Sequence, residues 1–372
     1  MYKVVHLSSA HPADDVRIFL KQARSLARAG YDVAVVARNS GNELRDGVKI
    51  SALGAPARGR LGRFVLTAYE TYRRARAMKG DIYHFHDPEL MPFGALLRLS
   101  GARVVYDVHE DVPKQLLSKP WLPKAARAPL SRLIAGFQYL LTRGCYSAIV
   151  AATPSIATQF PTRMTEIVQN FPLLGELGSP TQDALPMRDR PPEVLYVGAI
   201  SRIRGVIENV TAAGRLENKD ARLVLAGTFN APGLEAEARA LPGWSRIEYL
   251  GHQPRKAVAA RMARARAGIV LFLPEPNHVE AQPNKMFEYM SAGLPVIASD
   301  FPLWRQIIDG AGCGILVDPG DPVAIANAID WILAHPDEAE AMGKRGQQAV
   351  QEVYNWQAEE KKLLALYERI LP

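Results

Sequence analysis

The chain has 372 residues, long for one hydrophobic core, which predicts two domains. Its 48% hydrophobic content suits a globular protein, no apolar run approaches the ~18 residues of a membrane span, and two cysteines, Cys145 and Cys313, exclude a disulfide framework or a cysteine metal cluster. The net charge of +7 is uneven: residues 1–170 hold 24 Lys and Arg against 13 Asp and Glu (+11), the remainder 21 against 25 (−4), so the first half expects an anionic partner.

The N-terminus turns polar after a few residues, unlike a secretion signal, so a reducing cytoplasmic location is expected. Lys3–Ser8 reads as a strand, His11–Asp15 as a polar loop, Val16–Ala29 as a helix stopped by Gly30, and Tyr31–Ala37 as the next strand. Strand, helix and strand in succession predict a parallel sheet with a right-handed crossover. No glycine-rich loop precedes the helix, so a dinucleotide fingerprint is missing. His11 and Arg17 could face a ligand there; equally, Asp14 and Asp15 could cap the helix and leave Arg17 exposed.

Val48–Leu53 is a strand. Pro56–Lys79 combines Arg58, Arg60, Arg63, Arg73, Arg74, Arg76 and Lys79 with apolar residues at helical spacing. Such a helix could lie on anionic lipid, each charge contributing about 1 kcal/mol, or turn its charges to solvent. Asp81–Phe85 is a short strand running into His86-Asp87-Pro88, and Leu90–Leu99 is a helix. The strand Arg103–Val108 runs into His109-Glu110-Asp111. Ligands of open α/β sheets bind beyond the carboxyl ends of strands, so His86, His109 and their neighbour Asp107 are candidates. They have no HxxxH or cysteine partner, and no metal is expected. Lys119–Thr142 is amphipathic, with Trp121 near its start; its apolar stripe is expected to pack as core, the alternative being a membrane interface. Ser147–Ala152 is a strand, and Pro172–Pro192, rich in Pro, Gly, Ser and Asp, reads as a linker.

The strand–helix pattern then restarts. Glu193–Val197 is a strand followed by Gly198 to Gly205, where Arg202 and Arg204 are placed to hold phosphate. Arg222–Ala226 ends in Gly227, and Ile247–Leu250 ends in Gly251-His252; these turns would flank a nucleotide base. Ala267–Leu273 delivers the stretch Leu273–Asp300. There, Pro283 or Asn284 opens a helix, Gly293 closes it, and Val296-Ile297-Ala298 is a buried strand. A helix N-terminus at the mouth of a sheet is an anion site, and Lys285 adds a charge. Glu288, one turn on, can accept two ribose hydroxyls, while Glu280 stands before the helix. The plain alternative is a surface Lys285–Glu288 pair. Gly314–Val317 is a late strand, Pro322–Ala334 and Asp337–Val353 are helices, and Trp356–Leu371 is a final amphipathic helix.

Glu280 and Glu288 as E-x7-E, followed by Gly293, Pro295 and Val296, resemble the donor-binding signature of the retaining glycosyltransferases of family 4. The usual E-G-F-G is replaced here by Glu280-Ala281-Gln282-Pro283, and the first loop, SSAHPADDVR, lacks the common glycine pair. Ala199 stands where the family has a basic residue; Arg204 matches the family's lysine and Arg202 offers a substitute for the missing cation.

The resemblance implies an α/β GT-B fold: two Rossmann-like domains facing across a cleft, with the C-terminal helix returning to the N-terminal domain. The expected boundaries are 1–172, a linker 173–192, 193–355, and a crossover helix 356–372. It implies transfer of a sugar from a UDP- or GDP-sugar to a hydroxyl with retention, without cofactor or metal. Catalytic roles fall to His109, Glu280 and Arg204. Diphosphate contacts fall to Arg202, Arg204, Lys285 and Gly198, ribose contacts to Glu288, and base-flanking positions to Gly227, Gly251 and His252. His11, Arg17 and His86 form the acceptor side. The basic N-terminal half suits a lipid-linked saccharide at the inner face of the cytoplasmic membrane, as in bacterial surface-polysaccharide assembly. A nucleic acid partner is not expected, since aromatic–basic RNA motifs are missing. The rival readings are a GT-B nucleotide-sugar epimerase or hydrolase, and a non-catalytic basic scaffold.

Overall fold

The computed structural model describes residues 1–54, 62–117, 122–176, 185–276 and 278–371, with Arg63 and Phe64 as backbone alone. The expected contributions of Arg58, Arg60, Lys119 and Trp121, and much of the linker, lie outside the described residues. The chain divides into two compact units: Met1–Asn170 with Trp356–Pro372, and Phe171–Asn355.

The strands of the first unit are β1 (Lys3–Pro12), β2 (Asp32–Arg38), β3 (Glu43–Arg45), β4 (Val48–Leu53), β5 (Ile82–Phe85), β6 (Arg103–Val108), β7 (Ala148–Ala151) and β8 (Thr165–Ile167). They form one sheet in the order β3-β4-β2-β1-β5-β6-β7-β8, parallel except for the antiparallel pair β3–β4. Both faces are covered, so the central strands read as continuous apolar runs: Val33 to Ala37 are all buried. The edge strands β3 and β8 carry no such run, which is why sequence patterning does not reveal β3.

Helices cover the sheet. Val16–Ala23 is π-helical and runs into the α-helix Arg24–Arg28. Its cap is Asp15, whose carboxylate accepts from the amides of Arg17 and Ile18, each at 2.9 Å. The last helix, Trp356–Ile370, belongs to this unit because it buries Trp356, Leu363, Leu366 and Tyr367 here. Trp356 Nε1–H donates to Ser25 Oγ at 3.0 Å, and the Glu359 carboxylate accepts from the Gln169 amide at 2.8 Å.

One expectation is corrected. The apolar stripe of Lys119–Thr142 does not pack as core. In the helix Lys124–Cys145 the buried side chains are Gln138 and Thr142, and the exposed ones include Leu133, Phe137 and Leu140. Periodicity reports that a helix has two faces, but not which face the sheet takes.

The second unit contains β9 (Glu193–Val197), β10 (Arg222–Ala226), β11 (Ile247–Gly251), β12 (Ala267–Val270), β13 (Val296–Ser299) and β14 (Gly314–Val317). All pairings are parallel, in the order β11-β10-β9-β12-β13-β14. The chain reverses direction across the sheet between β9 and β12, as it does between β1 and β5 in the first unit. At such a switch point two crossover connections leave in opposite directions and open a crevice at the carboxyl ends of the strands. No helix among the described residues is long and apolar enough to cross a membrane.

Candidate active site

The switch point of the first unit gathers five histidines. β1 supplies His6 and continues to His11, β5 supplies His84 and leads to His86, and β6 supplies Asp107 and leads to His109. Parallel register sets His6 opposite His84. Asp107, fully buried, is the hub. Arg17 clamps it with Nε and Nη2 at 2.9 and 2.7 Å, and Gln22 Nε2 donates to it at 2.7 Å. His86 Nδ1 lies at 3.1 Å and His109 Nε2 at 2.9 Å from the same carboxylate. Burial alone would raise the Asp107 carboxyl; Arg17 and the hydrogen bonds from His109 and His86 outweigh that and hold it well below the usual carboxylate range.

An ionised Asp107 fixes the ring tautomers, because a carboxylate only accepts. His86 therefore carries its proton on Nδ1 and His109 on Nε2. The 3.2 Å between those nitrogens is two donors sharing one oxygen. His86 Nε2 accepts from His6 Nδ1–H at 2.9 Å, and His84 Nδ1 bonds the Tyr367 hydroxyl at 2.8 Å. Burial pushes His6, His84 and His86 below the ordinary imidazole value, so all three are neutral at pH 7. His109 is the outer member, its side chain 17% exposed. With Nε2–H committed to Asp107, its Nδ1 is a hydrogen-bond acceptor, suited to a hydroxyl.

Two expected acceptor-side residues are buried. Arg17 is 4% exposed and engaged by Asp107, and the His86 side chain is inaccessible, so neither is open to a ligand in this structure. His11 stays within reach of solvent, 3.5 Å from both Asp15 and Asp87. Its bond to Asp15 is the largest influence and raises it above the ordinary histidine value, against the opposing effect of burial. Asp87 in turn accepts from Ser8 Oγ at 2.8 Å and the Ser9 amide at 2.7 Å, closing the first loop without the missing glycines.

His6, His84 and His86, and also His86, Asp107 and His109, are near enough to ligate one ion. Their chemistry fits protons better. The Asp107 oxygen such an ion would need already accepts from Arg17 and Gln22, and both ring nitrogens of His86 are engaged. A dication here would also sit beside the Arg17 guanidinium.

In the second unit the turns after β9, β10 and β11 are stitched together. The Gly198 amide donates to Ala226 O at 2.9 Å and the Gly227 amide to Gly251 O at 2.8 Å. A Cβ on Gly227 would fall 1.7 Å from Gly198 O, so only glycine fits there. His252, just beyond β11, is exposed. Across the switch point the Leu273 amide donates to Ile203 O at 2.8 Å, tying the Gly198–Gly205 loop to the loop that carries Glu280.

Arg204 lies over the Phe272 ring at 5.4 Å, and His278 packs against the same ring at 4.9 Å. Burial, reinforced by Arg204, lowers the His278 imidazole. No described carboxylate pairs with Arg204. Arg202, by contrast, is exposed and ion-paired with Glu237.

The helix Asn284–Ser291 starts after Pro283, as its sequence predicts, and ends at Gly293 in the left-handed region. Its loop is pinned by Trp304, whose Nε1–H donates to Ala281 O at 2.6 Å. Glu288 is buried and Glu280 exposed. Lys285 Nζ reaches Glu288 at 2.5 Å, and Arg255 Nη1 lies 3.5 Å from its other oxygen. The plain i,i+3 pair is therefore present, inside a larger group. Arg255, which also pairs with Glu176, has no sequence signal beyond being one basic residue among many. His278 and Phe272 lacked one as well.

Residues 180–349 match the family model for glycosyl transferases group 1, and residues 16–165 that for a glycosyl transferase 4-like domain. The chain is 24% identical to MMP alpha-(1->4)-mannosyltransferase of Mycolicibacterium hassiacum, over 80% of this chain and 74% of that protein. Its fold is similar to sucrose-phosphate synthase of Thermosynechococcus elongatus, with TM-score 0.78 and 22% identity, covering 100% and 99% of the two chains. It is also similar to Anabaena Alr3699/HepE in complex with UDP-glucose, with TM-score 0.73 and 14% identity over 99% and 100% of the chains.

Proposed function

The chain belongs to the GT-B glycosyltransferases of the family 4 type, and on that premise we propose that it moves a sugar from a UDP- or GDP-sugar to a hydroxyl of a lipid-linked saccharide, with retention. One observation carries the reading: Arg204 and the N-terminus of Asn284–Ser291, with Lys285, border the switch point of the second sheet. Preorganised cations there stabilise charge as the bond from the sugar C1 to the diphosphate breaks. The incoming hydroxyl oxygen bonds to C1 on the face the diphosphate leaves, and its proton passes to the departing diphosphate oxygen. Glu280 holds donor sugar hydroxyls, Glu288 the ribose, and His109 Nδ1 accepts from a sugar hydroxyl. Arg204 and Lys285 do the work a divalent ion would do elsewhere, so EDTA is expected to leave activity intact. The Anabaena protein bound to UDP-glucose supports a uridine donor, and the basic first half supports an acceptor at the cytoplasmic face of a membrane.

The test is incubation of each UDP- and GDP-sugar with membrane lipid extract, with the anomer of the product read by NMR. A retained anomer in a lipid-linked product is expected; no transfer from any donor would overturn the reading. The Asp107–His109 pair would also serve an epimerase or hydrolase. Conversion of the donor without acceptor would favour that alternative.

A further inference from the structure

We propose that the first unit docks on an anionic bilayer through the outward face of the helix Lys124–Cys145. The inference names the surface that would bring a lipid-linked acceptor to the site, and it rests on the reading above for the acceptor alone.

This helix is turned inside out relative to its sequence pattern. Gln138, Leu141, Thr142 and Cys145, at i, i+3, i+4 and i+7, face the sheet. Leu133, Phe137 and Leu140, at i, i+4 and i+7, face out and are 69%, 41% and 68% exposed. Alongside them runs a second line, Arg132, Tyr139 and Arg143 at i, i+7 and i+11, with the Arg143 guanidinium 4.5 Å over the Tyr139 ring. Not one Asp or Glu occurs within Lys124–Cys145. The neighbouring helix Met91–Leu99 packs beside it and adds Leu96 and Leu99, the latter 82% exposed.

Scattered apolar side chains on a surface need no explanation, but a continuous apolar line bordered by charge of one sign does. Three occupants can be weighed. A second copy docked about a twofold axis would set Arg132 and Arg143 against their own equivalents, with no carboxylate on the helix to answer them. A nucleic acid would satisfy the arginines and leave Leu133 and Leu140 in water. An anionic bilayer satisfies both lines. The leucines and Phe137 enter the acyl boundary, Tyr139 sits at the headgroups, and the arginines meet lipid phosphates. The helix would lie in the plane of the interface rather than cross it, consistent with its four basic residues.

The test is flotation of the full chain with vesicles of phosphatidylcholine, with and without one third phosphatidylglycerol. Binding to the anionic vesicles that weakens with salt is expected. L133D/F137D and, separately, R132E/R143E should each lower it roughly tenfold or more. All four side chains are exposed, so thermal melting should not change. V323D, at an exposed apolar position of the second unit, should bind like the unaltered chain. Indifference of the unaltered chain to anionic vesicles, or undiminished binding by both double variants, would overturn the proposal. So would a dimer in light scattering that L133D/F137D abolishes while no vesicle is bound. Vesicle binding needs no donor, so failed sugar transfer with intact flotation would count against the enzymatic reading and leave the docking face standing.

Discussion

The two units place their candidate residues at the same topological point and organise them in opposite ways. In the first, charge is sealed inside: Arg17 and Asp107 neutralise each other under a shell of uncharged histidines, and only His109 and His11 reach outward. In the second, charge is held on loops and helix ends, in pairings a ligand can rearrange: Lys285 and Arg255 share Glu288, Arg202 is taken by Glu237, and Arg204 lies on an aromatic ring. A buried hub fixes one geometry before substrate arrives. A loop site can trade internal partners for a diphosphate. The contrast suits a positioning role for the first unit and anion capture for the second.

The largest effect is expected at the hub. Asp107→Asn leaves the Arg17 guanidinium buried without a counter-charge, at a cost of about 3–5 kcal/mol. It also frees the tautomer of His109, so turnover should fall by about 10²-fold or more. Thermal melting and steady-state kinetics read the two consequences separately. Arg17 and Asp107 replaced together by residues of similar volume should recover much of the stability and none of the turnover. Stability without activity in the double variant is what separates a positioning hub from a mere packing element.

Acid should open the first unit before the second. His6, His84 and His86 have folded-state values below the ordinary 6.5. Their contribution is whole above about pH 6.5, where both states are neutral, and is lost as pH falls, because the unfolded chain takes up the protons. Each histidine contributes at most about 1.4 kcal/mol per pH unit. His11 has the opposite sign: its bond to Asp15 is whole below 6.5 and fades as pH rises through its raised value. Asp15, held at about 2, loses its share only as pH falls below the ordinary 3.8 toward that value. Hydrogen exchange between pH 7 and 5 should show β1, β5 and β6 losing protection while β9 and β12 keep theirs. Equal loss in both sheets would erase the distinction.

Smaller effects belong to the second unit. Glu288→Ala should weaken nucleotide binding about 10- to 100-fold, the loss of hydrogen bonds made by a charged group. Glu280→Ala should chiefly lower turnover. Arg202→Ala should change binding by less than about fivefold, since an exposed pair such as Arg202–Glu237 contributes under about 1 kcal/mol. Titration calorimetry with UDP and GDP orders the three variants.

Much of this was legible in the sequence. Strands of both sheets appear as apolar runs of the right length, and β4, β6, β9, β10 and β14 have the expected bounds. The helix around Glu288 was marked by Pro283 and Gly293, whose backbone preferences are local. What failed to show depends on contacts between distant positions. His6 and His84 read as ordinary strand residues until register sets them side by side. Arg17 looks like a surface cation until Asp107, ninety residues away, is placed against it. The outward face of Lys124–Cys145 reads from sequence as an inward one, because a stripe shows amphipathicity and says nothing of the neighbour it meets.

The central claim, that the second unit captures the diphosphate while the first positions the reaction, is tested most directly by calorimetry of UDP and GDP against the unaltered chain, Arg204→Ala and His109→Ala, with sugar transfer measured on the same samples. The account predicts that Arg204→Ala loses nucleotide binding by about tenfold or more, and that His109→Ala binds as the unaltered chain does but transfers little sugar. Undiminished binding by Arg204→Ala, or loss of nucleotide binding in His109→Ala, would contradict it.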